Sequence, residues 1–216
     1  MTGRPVLYDY WRSSASYRLR IALNLKGIAY DVVPVSLIDG AHKTAEHLAR
    51  NPQGFVPALE IDGTMLTQSL SILQYLDARD PAPRLFPSDP LVRARAEAVA
   101  HAVAMDIHPV CNLSVAKTAV DWVDGDETER NATRLAWMQT FIARGLDAVE
   151  AMLPVPSPYA FGAAPTVADV CLVPQLYNAR RWDLDVARWP KLTRLDATCA
   201  QADALARAAP EAVKPG

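Results

Sequence analysis

The sequence predicts two domains of different class: an α/β unit over residues 1–80 and an all-helical unit over residues 91–216. Three observations carry this. Short β-rich runs alternate with helical ones as far as Asp80, which is the pattern of an α/β unit. Pro81, Pro83, Pro87 and Pro90 then punctuate the chain, which suits a semi-rigid linker over residues 81–90. Beyond it, Ala, Leu, Arg and Glu recur at helical spacing. With 216 residues, half of them hydrophobic and 21% charged, the chain can fill two cores, and disorder is excluded for most of its length.

The elements follow in order. Pro5 to Tyr10 reads as a strand, because aromatic and β-branched residues fit a pleated surface. Ser14 to Lys26 reads as a helix: Tyr17, Ile21 and Leu25 recur every four residues, Arg18 and Arg20 lie off that stripe, and Gly27 suits the left-handed C-terminal position. Tyr30 to Val35 is a second strand, with Pro34 marking an edge or an end. Ala58–Asp62, Gly63 and Thr64–Thr67 read as a hairpin around an Asp-Gly turn. Ser69 to Arg79 closes the unit as a helix, with Ser69 as its N-cap and Ile72, Leu73 and Leu76 on one face. The helical unit reads as Leu91 to Lys117, Glu127 to Leu153, Val167 to Ala179 and Leu192 to Ala208, the third opened by the capping pattern Thr166-Val-Ala-Asp169. The order β-α-β, β-β-α and then helices is a thioredoxin-like unit with an appended bundle, an architecture that leaves function open.

Composition narrows the classes. Twenty-two Lys and Arg against twenty-four Asp and Glu give a net charge of −2 with no basic run, so neither nucleic acid nor an anionic membrane is an expected partner. The first eighty residues carry eight charges of each sign. Cys111, Cys171 and Cys199 form no C-x-x-C pair and read as core residues. His42, His47, His101 and His108 form no H-x-x-x-H pair, so no metal site is expected. No apolar run of eighteen residues and no secretory signal stand out, and the expected location is the cytoplasm.

Three local segments could carry chemistry. Tyr10 to Ser16 joins the first strand to the first helix, where free N–H groups and the positive helix end favour an anion. It holds no cysteine, which excludes dithiol chemistry there, but Ser13 and Ser14 can each donate a hydrogen bond to a thiolate supplied by a ligand. One of them simply capping the helix is the plainer alternative. Asn51-Pro-Gln-Gly-Phe-Val-Pro57 feeds the hairpin, and a cis Val56–Pro57 bond there would turn the Val56 backbone outward to pair with an extended peptide, an ordinary trans proline being the alternative. Gln68-Ser69 opens the last helix of the unit, where a hydroxyl and N–H groups could bind a carboxylate, or Ser69 could only cap.

In this order the segments Ser13-Ser-Ala-Ser-Tyr-Arg-Leu-Arg-Ile-Ala-Leu23, Asn51 to Pro57 and Gln68-Ser69 resemble the zeta-class glutathione transferases, the maleylacetoacetate isomerase family. The resemblance continues through Asp106-Ile-His-Pro109, Asn112-Leu-Ser114, Asp169 to Gln175 and Asn178-Ala-Arg-Arg181, nearly the whole chain. It implies the glutathione transferase architecture, a glutathione cofactor, a homodimer, and an open cleft between the domains for an electrophile. It implies that Ser13, with Ser14 beside it, faces the glutathione sulfur, that Val56 pairs with the cysteinyl unit, and that Gln68 and Ser69 hold the γ-glutamyl carboxylate. His42 corresponds to a contact with the glycine end, while His108 and Asn112 correspond to residues facing the cleft. The implied reaction is cis–trans isomerisation of maleylacetoacetate in aromatic catabolism. Its substrate is a keto diacid, so Arg12 and Arg181 become candidates for holding a carboxylate, Arg181 having a surface ion pair with Asp183 or Asp185 as its alternative.

One residue departs from the family pattern, since Ala15 stands where a cysteine usually follows the two serines. Maleylpyruvate isomerisation is the neighbouring possibility, although some of those enzymes carry arginines where Leu113 and Ser114 stand here. Conjugation or dehalogenation of small electrophiles such as α-haloacids would use the same thiolate and consume glutathione. A non-catalytic binding protein on the same fold ranks last, because both serines are present.

Overall fold

The computed structural model describes residues 3–155 and 158–215. Its sheet has the order β2-β1-β3-β4, built from β1 (Val6–Asp9), β2 (Asp31–Pro34), β3 (Ala58–Ile61) and β4 (Thr64–Thr67). β1 pairs parallel to β2 and antiparallel to β3, and β3 pairs antiparallel to β4. This topology places the C-terminal ends of β1, β2 and β4 and the N-terminal end of β3 at one edge of the sheet. Tyr8 faces Ala58 and Ala58 faces Thr67 in the register, so the loops leaving Asp9, entering Ala58 and leaving Thr67 emerge side by side. As Pro34 suggested, β2 lies at the sheet's edge. The hairpin turn has positive φ at both central residues, 53° at Asp62 and 74° at Gly63, the two-residue geometry that an Asp-Gly pair favours.

Helices α1 (Ser14–Leu25) and α3 (Ser69–Arg79) pack together. Gly27 takes φ 63° just past α1. Between β2 and β3 the structure adds two short elements that the apolar pattern did not announce, a 3₁₀ turn over Ala41–Lys43 and α2 (Ala45–Arg50). Six residues with His47 alone buried give no apolar stripe to read. The local sign was Thr44, whose hydroxyl accepts the His47 N–H at 3.3 Å.

The chain divides into a unit of residues 1–86 with 200–216 and a unit of residues 87–199, which corrects the expected division at residues 80 and 91. Leu85 and Phe86 are buried, and the Asp77 carboxylate accepts both of their N–H groups, at 2.6 and 3.3 Å. The end of the supposed linker is thereby tied to α3. The C-terminal stretch joins the first unit through α9 (Asp203–Ala206), which packs on α1. There Arg20 Nε donates to the Ala208 carbonyl at 2.9 Å and Asn24 Nδ2 to the Ala204 carbonyl at 2.9 Å. A short α10 (Pro210–Val213) follows.

The second unit holds α4 (Pro90–His101), α5 (Leu113–Asp121), α6 (Glu127–Met152), α7 (Val167–Arg181) and α8 (Pro190–Ala200). Two expected helices are broken. The run from residue 91 to 117 ends α4 in a π turn over Ala102–Ile107 and restarts after Pro109, where the Asn112 side-chain Oδ1 accepts the Ser114 N–H at 3.0 Å and caps α5. The run from residue 192 to 208 stops at Ala200 and resumes as α9 in the other unit. α7 is buried on nearly every face, so its period is masked. Asp169 starts it as expected, its carboxylate accepting the Thr166 N–H at 2.7 Å, the Thr166 hydroxyl at 2.9 Å and the Ala160 N–H at 2.9 Å. Burial still pushes the Asp169 carboxyl above its ordinary range.

α6 meets the π turn at Gly145, where an added Cβ would overlap Ile107 Cγ1 and Cδ1. Ile107 is itself buried and has nowhere to go. Gly145→Ala is therefore expected to destabilise the protein by about 1–3 kcal/mol, overpacking outweighing the ~1 kcal/mol that alanine gains in a helix. Urea titration of the variant checks this, and a midpoint at or above that of the parent would contradict it.

Candidate functional site

The site residues of the first unit come from the loops at one sheet edge. Ser13 is the N-cap of α1, with its Oγ accepting the Ser16 N–H at 3.3 Å. The capping role therefore holds, and it leaves the other part of the group available: an oxygen that accepts from the helix keeps its own O–H to donate. Ser14 is the first residue of α1 and is buried. Arg12 Nη2 donates to the Tyr10 hydroxyl at 3.3 Å, and its guanidinium lies 5.1 Å from the centre of the Trp11 ring. The loop is anchored from behind, since Arg20 Nη2 donates to the Trp11 carbonyl at 2.8 Å.

The second loop runs from Asn51 to Pro57 and its Val56–Pro57 bond is cis. Asn51 spans it, with Oδ1 accepting the Gln53 N–H at 3.1 Å and Nδ2 donating to the Phe55 carbonyl at 2.9 Å. His47 Nε2 meets the same carbonyl at 2.9 Å. Gly54 has φ 64°, and a Cβ there would meet the His42 carbonyl at 3.1 Å, so glycine is required on both counts. The Val56 side chain packs into a cluster with Tyr8, Val35 and Ala58. Tyr8 is thus a packing residue, with the Arg50 guanidinium 4.4 Å from its ring centre. Among the described residues the Val56 N–H has no backbone partner.

At the third loop the structure corrects one detail. Gln68, not Ser69, holds the N-cap position of α3, with φ 66° and ψ 109° and no side-chain cap bond. A glutamine held at positive φ is backbone strain of the kind that collects at ligand sites. Its Nε2 donates to Gln53 Oε1 at 2.6 Å, joining this loop to the previous one. Ser69 is buried and its Oγ accepts from Arg18 Nη1 at 3.1 Å, which again leaves the hydroxyl proton to donate. His42 sits half-buried in the 3₁₀ turn, and burial holds its imidazole below the ordinary histidine value, against the opposing effect of the Ser36 backbone. Its Nδ1 is buried with no hydrogen-bond partner.

The structure thus gathers Ser13, Val56, Gln68 and Ser69 at one edge. The pattern of apolar residues missed the groups that hold them. Arg18 and Arg20, which lie off the α1 stripe and would be placed in solvent, are both buried. Charged side chains inside an otherwise apolar segment were the available sign.

In the second unit His108 is half-buried and ends the π turn, its N–H donating to the Val103 carbonyl at 2.9 Å. Asn112 spends its side-chain Oδ1 on the α5 cap and on the Ser114 hydroxyl at 3.0 Å, so its Nδ2 is the end available to a ligand. Arg181, at the exposed end of α7, has its guanidinium 5.5 Å from the Trp182 ring centre. Asp185 Oδ1 accepts the Ala187 N–H at 2.9 Å. Cys111, Cys171 and Cys199 are buried and form no disulfide, and burial pushes the Cys111 thiol up to about 11 and raises that of Cys199, so neither of these two is set up as a nucleophile. Among the described residues no three His, Cys, Asp or Glu side chains group as metal ligands, and no helix is long and apolar enough to cross a membrane.

Residues 5–78 match the glutathione S-transferase N-terminal domain, and residues 127–211 match the glutathione S-transferase C-terminal domain. The chain belongs to the glutathione S-transferase family. A maleylacetoacetate isomerase of Rhizobium meliloti (strain 1021) is 56% identical to it, the match covering 100% of both chains. Among solved structures, a holo maleyl pyruvate isomerase, described as a bacterial zeta-class glutathione S-transferase, is 41% identical with a TM-score of 0.92 and covers 98% of this chain and 99% of its own. A maleylacetoacetate isomerase from Anaeromyxobacter dehalogenans 2CP-1, with dicarboxyethyl glutathione and citrate bound in its active site, is 40% identical with a TM-score of 0.86 and covers 98% of each chain.

Proposed function

We propose that this protein is a zeta-class glutathione transferase that works as a glutathione-dependent cis–trans isomerase on maleylacetoacetate. The observation that carries the proposal is the set of hydrogen-bond donors at one sheet edge: the Ser13 hydroxyl, the Val56 N–H and the Ser69 hydroxyl. Their chemistry fits a short peptide thiol with an anionic end. Glutathione, when bound, supplies a thiolate that adds reversibly to a conjugated cis double bond, so that rotation about it becomes easy.

The residues act as follows. A free thiol, with its pKa near 8.5, is mostly protonated at neutral pH, and each unit of downward shift is worth about 1.4 kcal/mol. The Ser13 O–H and the positive end of α1 both favour the thiolate, and Ser13 needs no ionisation of its own. Ser14 stands beside it as a second hydroxyl. Ser69 and Gln68 receive the γ-glutamyl carboxylate, and His42 takes the glycine end. Arg12 and Arg181 are the two candidates for holding a substrate carboxylate, where a guanidinium also stabilises developing enolate charge. His108 and Asn112 are assigned, by the resemblance, to the cofactor-binding set. Ala15 leaves no thiol beside Ser14.

Maleylpyruvate is the second reading, favoured by the likeness to the maleyl pyruvate isomerase structure. Leu113 and Ser114 after Asn112 lean toward maleylacetoacetate. The test is the absorbance decay of each compound with and without glutathione while free thiol is titrated. Decay with thiol conserved is expected, faster on maleylacetoacetate. Thiol loss would mean a conjugating or dehalogenating transferase, and no decay would overturn the isomerase reading. A cytoplasmic homodimer completes the proposal. Sedimentation equilibrium returning the 23.6 kDa of one chain would contradict the dimer.

A further inference from the structure

We propose that His47 and Asn51 are positioning residues: together they fix the Phe55–Val56 peptide plane so that the Val56 N–H donates to a backbone carbonyl of the bound tripeptide. This inference rests on the glutathione reading and assigns a role to two side chains that do not themselves touch the ligand.

The argument begins with the peptide unit. The Phe55–Val56 bond is trans, so its C=O and N–H point in opposite directions and turning one turns the other. Two buried donors hold the carbonyl, His47 Nε2 at 2.9 Å and Asn51 Nδ2 at 2.9 Å. Both side chains are 2% exposed, so neither donor is shared with solvent. A carbonyl oxygen can only accept, so Nε2 carries a proton, while Nδ1 is buried with no partner. With the carbonyl pinned inward, the Val56 N–H is aimed the other way, where no backbone group of the described residues receives it.

Two further features serve the same plane. Asn51 Oδ1 holds the Gln53 N–H, so the side-chain amide cannot rotate away without losing that bond. The Val56 side chain is packed beside Tyr8 and Ala58, which anchors the far side of the unit. A carbonyl that accepts two hydrogen bonds also polarises its peptide and strengthens the N–H as a donor. A ligand carbonyl therefore meets a donor whose orientation is set before binding, at little ordering cost.

The test compares glutathione with γ-glutamylcysteamine, which keeps the γ-glutamyl group and the thiol but lacks the cysteinyl carbonyl. In the ¹⁵N-labelled full chain, the Val56 amide proton is expected to move downfield on saturation with glutathione and to stay in place with γ-glutamylcysteamine. His47→Leu is expected to weaken glutathione by about tenfold, the scale of one hydrogen bond, and γ-glutamylcysteamine by less than about twofold. His47→Gln, which keeps a donor near the Nε2 position, should restore most of the loss. Equal weakening of both ligands in His47→Leu, or a Val56 amide that glutathione leaves unmoved in the parent protein, would overturn the proposal. A parent protein that binds neither ligand would overturn the glutathione reading itself. The amide measurement needs no variant, so it decides the matter even where His47→Leu fails to fold.

Discussion

Ser13→Ala is expected to lower turnover by about a hundredfold, the effect of removing one donor from a developing or resident anion, while weakening glutathione binding far less. The reason is that the hydroxyl acts on the charge at sulfur and contributes little to holding the tripeptide. A pH–rate profile should show the cause, with activity recovering toward alkaline pH as the bound thiol ionises closer to its ordinary value near 8.5. Ser13 also caps α1, and losing the bond to the Ser16 N–H costs about 1 kcal/mol of stability on its own. Ser13→Asp separates the two roles. Aspartate restores the cap but offers no proton and sets a negative charge beside the thiolate. Its melting temperature should match or exceed that of the parent, while its turnover stays at or below that of the alanine variant. Parental turnover in Ser13→Ala, or recovery of turnover in Ser13→Asp, would remove Ser13 from the mechanism.

Asp9→Ala is expected to destabilise the first unit by about 3–5 kcal/mol, because it leaves the buried Arg20 guanidinium without its counter-ion. Arg20 Nη1 donates to both oxygens of Asp9, at 2.8 and 2.7 Å, with the arginine side chain fully buried. The other guanidinium nitrogens hold the Ala208 and Trp11 carbonyls, so one side chain joins β1, the C-terminal segment and the loop that leads to Ser13. For a chain of this length the loss corresponds to a fall in melting temperature of roughly 10 °C. Arg4→Ala is the control. It breaks the pair with Asp31 at 3.0 Å, in which both side chains are more than half exposed, and should cost less than about 1 kcal/mol. An Asp9→Ala variant that melts within two degrees of the parent would show that the pair does not hold the unit together. Asp9→Leu with Arg20→Met should recover part of the loss, since it removes the stranded charge as well.

Each of these networks shows how far local signals reach. The hairpin was legible because Asp62-Gly63 favours one turn geometry whatever its surroundings, and the start of α7 was legible because Thr166 and Asp169 satisfy each other within one helical turn. Ser13, Val56 and Gln68-Ser69 were legible as three separate weak signals. Their meeting was implied only by the family resemblance and not by the segments themselves, because it depends on strand order: β1 antiparallel to β3, and β3 to β4, brings three distant loops to the same edge. The short α2 and the break at Pro109 escaped for a different reason. Both are set by capping and packing over a few residues, where no apolar period has room to repeat.

Residue order alone was enough for the alternation of strands and helices in the first unit, the helical character of the second, and the candidate hydroxyls at the start of α1. Those features rest on interactions between neighbours in the chain, which propensity and spacing record. Three things required the folded molecule. The C-terminal segment belongs with the α/β unit, because Ala204 and Ala208 offer carbonyls to Asn24 and Arg20 some 180 residues earlier. Arg18 and Arg20 are buried, because Ser69, Asp9 and two backbone carbonyls converge on them and offset the cost of removing charge from water. The Val56 N–H is aimed outward because two buried donors hold the carbonyl of the same peptide. All three depend on partners brought together by packing, and a long-range partner leaves no periodic trace in the segment that receives it.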